Sequence, residues 1–195
     1  MDWKTIKSSW YSELSGLYAR EELTALWGLA LNHFHGFNSF YEHTHPAWEP
    51  DRKELDRWID LLDQLQSNIP IQYALGVADF MGMSLQVGPG VLIPRPETEV
   101  VTQIAVDALK ASGSPEPIAV DLATGSGAIA LSLAVEVPNA KVFAIELSAD
   151  ALKYTKQNFA ALAPDAVLVQ GDLAEAFPEL NGTVDVLVSN PPYIP

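Results

Sequence analysis

Ser189-Asn190-Pro191-Pro192-Tyr193 follows an apolar run, Val184 to Ser189, that reads as a strand. The residue types in this motif suit one task. An amide or ring amine is a poor nucleophile because its lone pair is delocalised into a π system. A site that holds both N–H bonds with acceptors can turn some lone-pair density toward an electrophile. Asn190 offers a side-chain oxygen and Pro191 a backbone carbonyl. The two prolines lack an N–H and fix φ, so the turn is stiff and its carbonyls stay out of a helix. Tyr193 offers a flat face for a planar group. The gain is orientation in a near-attack geometry. Asn190, Pro191 and Tyr193 are therefore the candidate catalytic residues, and Asn190, Pro191, Pro192 and Tyr193 the candidate substrate site. An ordinary Asn-Pro-Pro turn is the bland alternative. The motif's place at a strand's carboxyl end, where open α/β sheets bind ligands, favours the functional reading.

A second motif lies upstream. Asp121-Leu122-Ala123-Thr124-Gly125-Ser126-Gly127 follows a strand pattern and opens a helix. Glycines there let the chain turn sharply and let a ligand approach the backbone. Gly125-x-Gly127-x-x-Ala130 also satisfies the dinucleotide fingerprint, so this loop alone leaves NAD and S-adenosylmethionine both open. Glu146 ends the next strand, where a carboxylate can accept from both ribose hydroxyls of either cofactor. Asp172 follows the third strand and can reach an adenine amino group, while Leu173 can pack on the ring. An acid at that third position favours the methyl donor, and a helix cap is the other reading of Asp172. The candidate cofactor residues are Ala123, Thr124, Gly125, Ser126, Gly127, Glu146, Asp172 and Leu173.

The elements that must position these residues are legible in the hydrophobic period. Strands are expected at Ile118–Leu122, Val142–Leu147, Val167–Gln170 and Val184–Ser189, with helices at 127–135 and 149–161 between them. Apolar strands alternating with helices imply a parallel sheet covered on both faces. Upstream, Pro96 with Glu97 and Glu99 suits a helix start, and that helix should run to about Lys110. Val77 to Ile93 is rich in strand formers around Gly88-Pro89-Gly90, which predicts a hairpin pairing 85–87 with 91–93. Residues 1 to about 67 carry three helical stripes: Trp3, Ile6, Trp10, Leu14, Leu17; Leu23, Leu26, Trp27, Ala30, Leu31, Phe34; and Leu55, Trp58, Ile59, Leu62, Leu65. Asp51 and Glu54 form a candidate capping box for the third. The tryptophans cluster here, which points first to core packing. The expected organisation is a helical domain over 1–68, a β-hairpin linker over 69–95 and an α/β domain over 96–195.

Composition narrows the function classes. The 195 residues are 48% hydrophobic and 18% charged, as a core-forming protein requires. No apolar run approaches the roughly 20 residues needed to span a bilayer, and Met1-Asp2-Trp3-Lys4 lacks the pattern of a signal peptide. There are no cysteines, so disulfides and thiolate metal sites are excluded and a cytoplasmic location is expected. Net charge is −14, which repels phosphate backbones and disfavours nucleic acid as the partner. His33-x-His35 and His43-x-His45 lack the further ligands of a metal site, so no metal is expected.

Taken together, Pro70-Ile71-Gln72-Tyr73-x-Leu75-Gly76, Val91-Leu92-Ile93-Pro94-Arg95-Pro96-Glu97-Thr98-Glu99, the Ala123–Gly127 loop and Asn190–Ile194 resemble the PrmC/HemK family of release factor glutamine-N5 methyltransferases. The resemblance implies an S-adenosylmethionine cofactor held by Ala123 to Gly127, Glu146, Leu173 and Asn190. It implies class 1 peptide chain release factors as partners, methylated on the glutamine of their Gly-Gly-Gln motif, with the helical domain as their docking site. It implies a class I (Rossmann-like) α/β methyltransferase fold behind a small N-terminal helical bundle and a hairpin linker, here truncated after its fourth strand, as in a fragment of a longer protein. Two positions depart from the family, which usually has glycine where this chain has Ala123 and aspartate where it has Glu146. The competing readings are an N6-adenine nucleic-acid methyltransferase using the same Asn-Pro-Pro-Tyr logic, a catalytically incomplete fragment that only binds cofactor or partner, and an NAD-dependent oxidoreductase.

Overall fold

The computed structural model describes residues 2–36, 44 and 49–191. The chain divides into two compact units, Met1–Leu75 and Gly76–Pro195.

The first unit is helical: α1 (Trp3–Leu14), α2 (Arg20–His35), α3 (Arg52–Gln66) and a short α4 (Ile71–Leu75). Asp2 caps α1, its Oδ1 accepting from the Thr5 N–H at 2.9 Å. The expected capping box opens α3: Asp51 Oδ1 accepts from the Glu54 N–H at 2.8 Å, and Glu54 Oε2 accepts from the Asp51 N–H at 2.9 Å. The apolar stripes converge on a tryptophan cluster. Trp10 and Trp27 meet edge to face with centroids 5.5 Å apart, and Trp27 lies 4.7 Å from Trp58. Trp10 donates its indole N–H to the Leu23 carbonyl at 3.3 Å, so the ring is buried with its polar atom satisfied. Two stripe residues point elsewhere, for Leu17 and Ile59 are about half exposed. His35 stacks on Trp58. Burial pushes its imidazole pKa below the ordinary value, against the pull of the Glu54 carboxylate. Histidines 43 and 45, weighed above as metal ligands, lie outside the described residues.

The second unit opens with a hairpin, β1 (Val77–Phe80) and β2 (Met83–Gln86), in antiparallel register from Val77↔Gln86 to Phe80↔Met83. This corrects the expected pairing of 85–87 with 91–93. The turn is Met81-Gly82, both at positive φ, as a two-residue hairpin loop demands. Gly88 to Val91 forms a separate turn, closed by the Val91 N–H on the Gly88 carbonyl. The chain there packs on a helix, so it has no strand partner.

The remaining elements are α5 (Pro96–Ala111), β3 (Ile118–Leu122), α6 (Ala128–Glu136), β4 (Lys141–Glu146), α7 (Ala149–Leu162), β5 (Val167–Gln170), two 3-10 turns (Leu173–Glu175 and Pro178–Leu180) and β6 (Val186–Ser189). The four strands are parallel in the order β5-β4-β3-β6. The sheet is therefore a doubly wound half, and its direction of travel reverses at β3. Helices α5, α6 and α7 cover one face around Ala119, Ala144 and Val188. The expected helical cover of the second face is not found among the described residues. There Val120 and Ile145 pack on Phe177 from the 3-10 segment, while Leu187 stays 62% exposed. No helix among the described residues is long and apolar enough to cross a membrane.

Truncating Trp27 removes one ring of a cluster in which Trp10, Trp27 and Trp58 all meet. Trp27→Ala should cost about 3–5 kcal/mol, read as a lowered urea midpoint followed by tryptophan fluorescence.

Candidate active site

The loop 123–127 leaves β3 and enters α6. Ala123, Gly125 and Gly127 all adopt left-handed backbone, with φ of 58°, 59° and 87°. At Gly127 a side chain would also overlap the Phe159 ring, so this position admits only glycine. Ala123 carries its methyl group in a conformation that costs a non-glycine residue about 1–2 kcal/mol.

Side chains from three elements hold this turn. Glu146, at the end of β4, is 9% exposed. Its Oε2 accepts from the Gly125 N–H and its Oε1 from the Ser148 N–H, each at 2.8 Å. Each oxygen keeps a further lone pair. From α7, the Thr155 hydroxyl donates to the Gly125 carbonyl at 2.5 Å. Asn158, 2% exposed, donates to the Ser126 carbonyl at 2.9 Å. The same Asn158 amide accepts from the Gln86 N–H at 2.7 Å and donates to the Gln86 carbonyl at 3.0 Å. One side chain therefore ties the hairpin to the loop.

Asp121 works from beneath. Its Oδ2 accepts from the Thr124 hydroxyl at 2.5 Å and from the Ala130 N–H at 3.2 Å. Its Oδ1 is buried with no hydrogen-bond partner among the described residues. Burial pushes the carboxyl up to about 7, with the Glu146 charge acting in the same direction against those two hydrogen bonds.

Ala123, Glu146, Asp172 and Leu173 line one cavity of about 310 Å³, with Ile145 and Ser148 between them. That volume lies in the range of small-ligand sites. It sits at the carboxyl ends of β4 and β5, the edge where such sheets bind ligands. A nucleoside fits what is there: Glu146 offers lone pairs to hydroxyls and Leu173, 47% exposed, offers an apolar face. Asp172 also caps the first 3-10 turn, one oxygen accepting from the Ala174 N–H at 2.9 Å. A larger cavity, about 540 Å³, lies at the opposite edge among Pro138, Lys141, Pro164 and Val167. It is at the amino ends of the strands, and none of the described candidate site residues lines it.

Thr124 and Ser126 are buried and act as loop structure, lining no part of the cavity. Asn190 lies just past β6. Ser189 is in register with Leu122 and donates to its carbonyl at 2.7 Å. Asn190 therefore stands beside Ala123, where the two motifs meet. Its Nδ2 donates to the Thr98 hydroxyl at 3.1 Å. Pro191 is exposed. Pro192 and Tyr193 lie outside the described residues.

The methyltransferase small domain family matches residues 89–194. The release factor glutamine methyltransferase of Flavobacterium psychrophilum is 34% identical over 98% of this chain and 67% of its own length. This chain belongs to that family. The enzyme of the same name from Streptomyces coelicolor is 48% identical over 84% of this chain and 56% of its own length. A 4-amino-L-phenylalanine/4-methylamino-L-phenylalanine methyltransferase of Streptomyces pristinaespiralis is 46% identical over 65% of this chain and 44% of its own. The chain spans about half the length of most of the curated relatives it matches.

Sequence reading gave no role to Asp121, Asn158 or Thr98. The signals were present. An acid inside the apolar strand Ile118–Leu122 needs a buried partner, and Asn158 interrupts the buried face of α7.

Two predictions follow from the loop. Ala123→Gly relieves about 1–2 kcal/mol of strain and costs about 0.5–1 kcal/mol in unfolded-state entropy, so the melting temperature should rise slightly. For Asp121, the folded-state pKa lies above the ordinary 3.8. Its stabilising contribution is present below that value and lost as pH rises through about 7. The stability of the wild type relative to Asp121→Asn should therefore fall between those two values and level off above. A flat difference in denaturant titrations would contradict the buried acid.

Proposed function

We propose that the chain is the donor-binding and acceptor-gripping part of an S-adenosylmethionine-dependent protein-glutamine N5-methyltransferase, acting on the Gly-Gly-Gln glutamine of class 1 release factors. The observation that carries this is the meeting of the two motifs. The cavity of Glu146, Asp172 and Leu173 and the Asn190 side chain lie at the same carboxyl edge, on either side of β3.

S-adenosylmethionine supplies a methyl group on a positively charged sulfur. Glu146 would hold the ribose hydroxyls through its remaining lone pairs, Asp172 the adenine amino group, and Leu173 the ring face. Ala123 to Gly127 would pass the donor toward β6. Asn190 would accept one N–H of the glutamine amide and Pro191 the other, with Pro192 stiffening the turn and Tyr193 covering the amide plane. These contacts orient the nitrogen, and a strong base is not needed. The nitrogen loses its proton to water as charge leaves the donor. The helical unit would dock the release factor, and the net charge of −14 favours a protein surface over nucleic acid. A cytoplasmic location accompanies that substrate.

A second reading has one specific observation behind it. The Streptomyces pristinaespiralis relative is named for methylating an aromatic amine. The same acceptor geometry would serve a planar ring NH₂.

Incubation with methyl-labelled donor separates the readings. The chain should label the glutamine of a Gly-Gly-Gln release factor, and Asn190→Ala should cut that rate by about 100-fold. Glu146→Ala should weaken donor binding about ten-fold or more in calorimetry. Label found only in 4-aminophenylalanine, or only in DNA, would refute the glutamine assignment.

A further inference from the structure

The segment Arg95 to Glu99 has no role in the scheme above, yet it reaches the acceptor motif. Thr98 lies in the first turn of α5, which begins at Pro96 after Arg95 as its cap. That turn is fixed at two further points. The Thr98 N–H donates to the Arg95 carbonyl at 3.0 Å, and the Thr98 carbonyl accepts from the Thr102 hydroxyl at 2.8 Å. Next along the helix, Glu99 Oε1 accepts from the Met81 N–H at 2.9 Å, which ties the hairpin turn to α5. The Thr98 hydroxyl is therefore carried on a rigid frame. It accepts from Asn190 Nδ2 at 3.1 Å, in a partly buried contact.

In that contact the Asn190 amide meets the hydroxyl with its donor end. A carboxamide has an acceptor end and a donor end of nearly the same shape, and a flip of the side chain exchanges them. Only the acceptor end can take an N–H from a substrate amide. With the donor end spent on Thr98, the oxygen is the end turned away from it.

We propose that Thr98 is a positioning residue, whose hydroxyl holds the Asn190 side chain with its oxygen toward the acceptor nitrogen. This rests on the reading of Asn190 as the acceptor-gripping residue. Thr98 touches no substrate in this account and acts through Asn190.

Thr98→Val keeps the branched shape and removes the hydroxyl, and Thr98→Ser restores it. In release factor methylation, Thr98→Val should lower kcat about ten- to hundred-fold, as loss of near-attack orientation does. Its affinity for S-adenosylmethionine should stay at the wild-type value, and Thr98→Ser should recover most of the rate. Full activity in Thr98→Val, or a serine variant as slow as the valine one, would overturn the assignment. A wild-type chain that methylates no glutamine would sink the substrate reading and leave this one testable by NMR of the Asn190 side-chain NH₂ pair. Those two resonances should move in Thr98→Val and hold in Thr98→Ser. Resonances unmoved in both variants would overturn the proposal independently of activity.

Discussion

One backbone constraint governs the carboxyl edge of this molecule. The chain must leave β3 and enter α6 through the left-handed turn 123–127, and the turn's exposed backbone groups need partners. Glu146 supplies one by accepting from Gly125. Thr155 and Asn158 take the carbonyls of Gly125 and Ser126. Asp121 secures the turn from below through Thr124 and Ala130. An unpaired buried backbone group costs about as much as a lost hydrogen bond, so each partner is structural before it is functional. The same arrangement leaves lone pairs on Glu146 facing a cavity of nucleoside size.

The rigid frame extends beyond the sheet. Asn158 joins the loop to Gln86 in the hairpin. Tyr154 and Asp150 pack against Gly88 and Gly90 along the same stretch of chain. Glu99 then ties the hairpin turn to α5, and Thr98 ties α5 to Asn190. The hairpin, the loop 123–127 and Asn190 are thus linked through one set of hydrogen bonds. The residues of the hairpin and of the segment that follows it brace the site, and their sequence specificity has a physical cause in these contacts.

Much of the fold was legible because hydrophobic period is a strong signal. The strand Val167–Gln170 matches its expected bounds, and the helices after β3 and β4 match theirs within a residue or two. The capping box at Asp51 was equally readable. The hairpin register was not. Glycine and proline at 88–90 mark a turn, yet the two-residue loop at Met81-Gly82 won, because Phe80, Met83 and Leu85 bury their side chains in the core. The exposure of Leu187 was also hidden, since an apolar strand reads alike whether or not its second face is covered. At the site, the residues expected from sequence are those at recognisable motif positions. Those that act by holding others, Asp121, Asn158 and Thr98, became visible only when the fold brought distant segments together.

The proposed donor site lies between the ends of β4 and β5, beside Asn190. Titrating the ¹⁵N-labelled chain with S-adenosylmethionine tests it directly. Amide shifts should concentrate at 123–127, 146–148 and 171–173 and extend to Asn190. Shifts confined to the larger cavity around Lys141 and Val167, or no shifts at all, would contradict it.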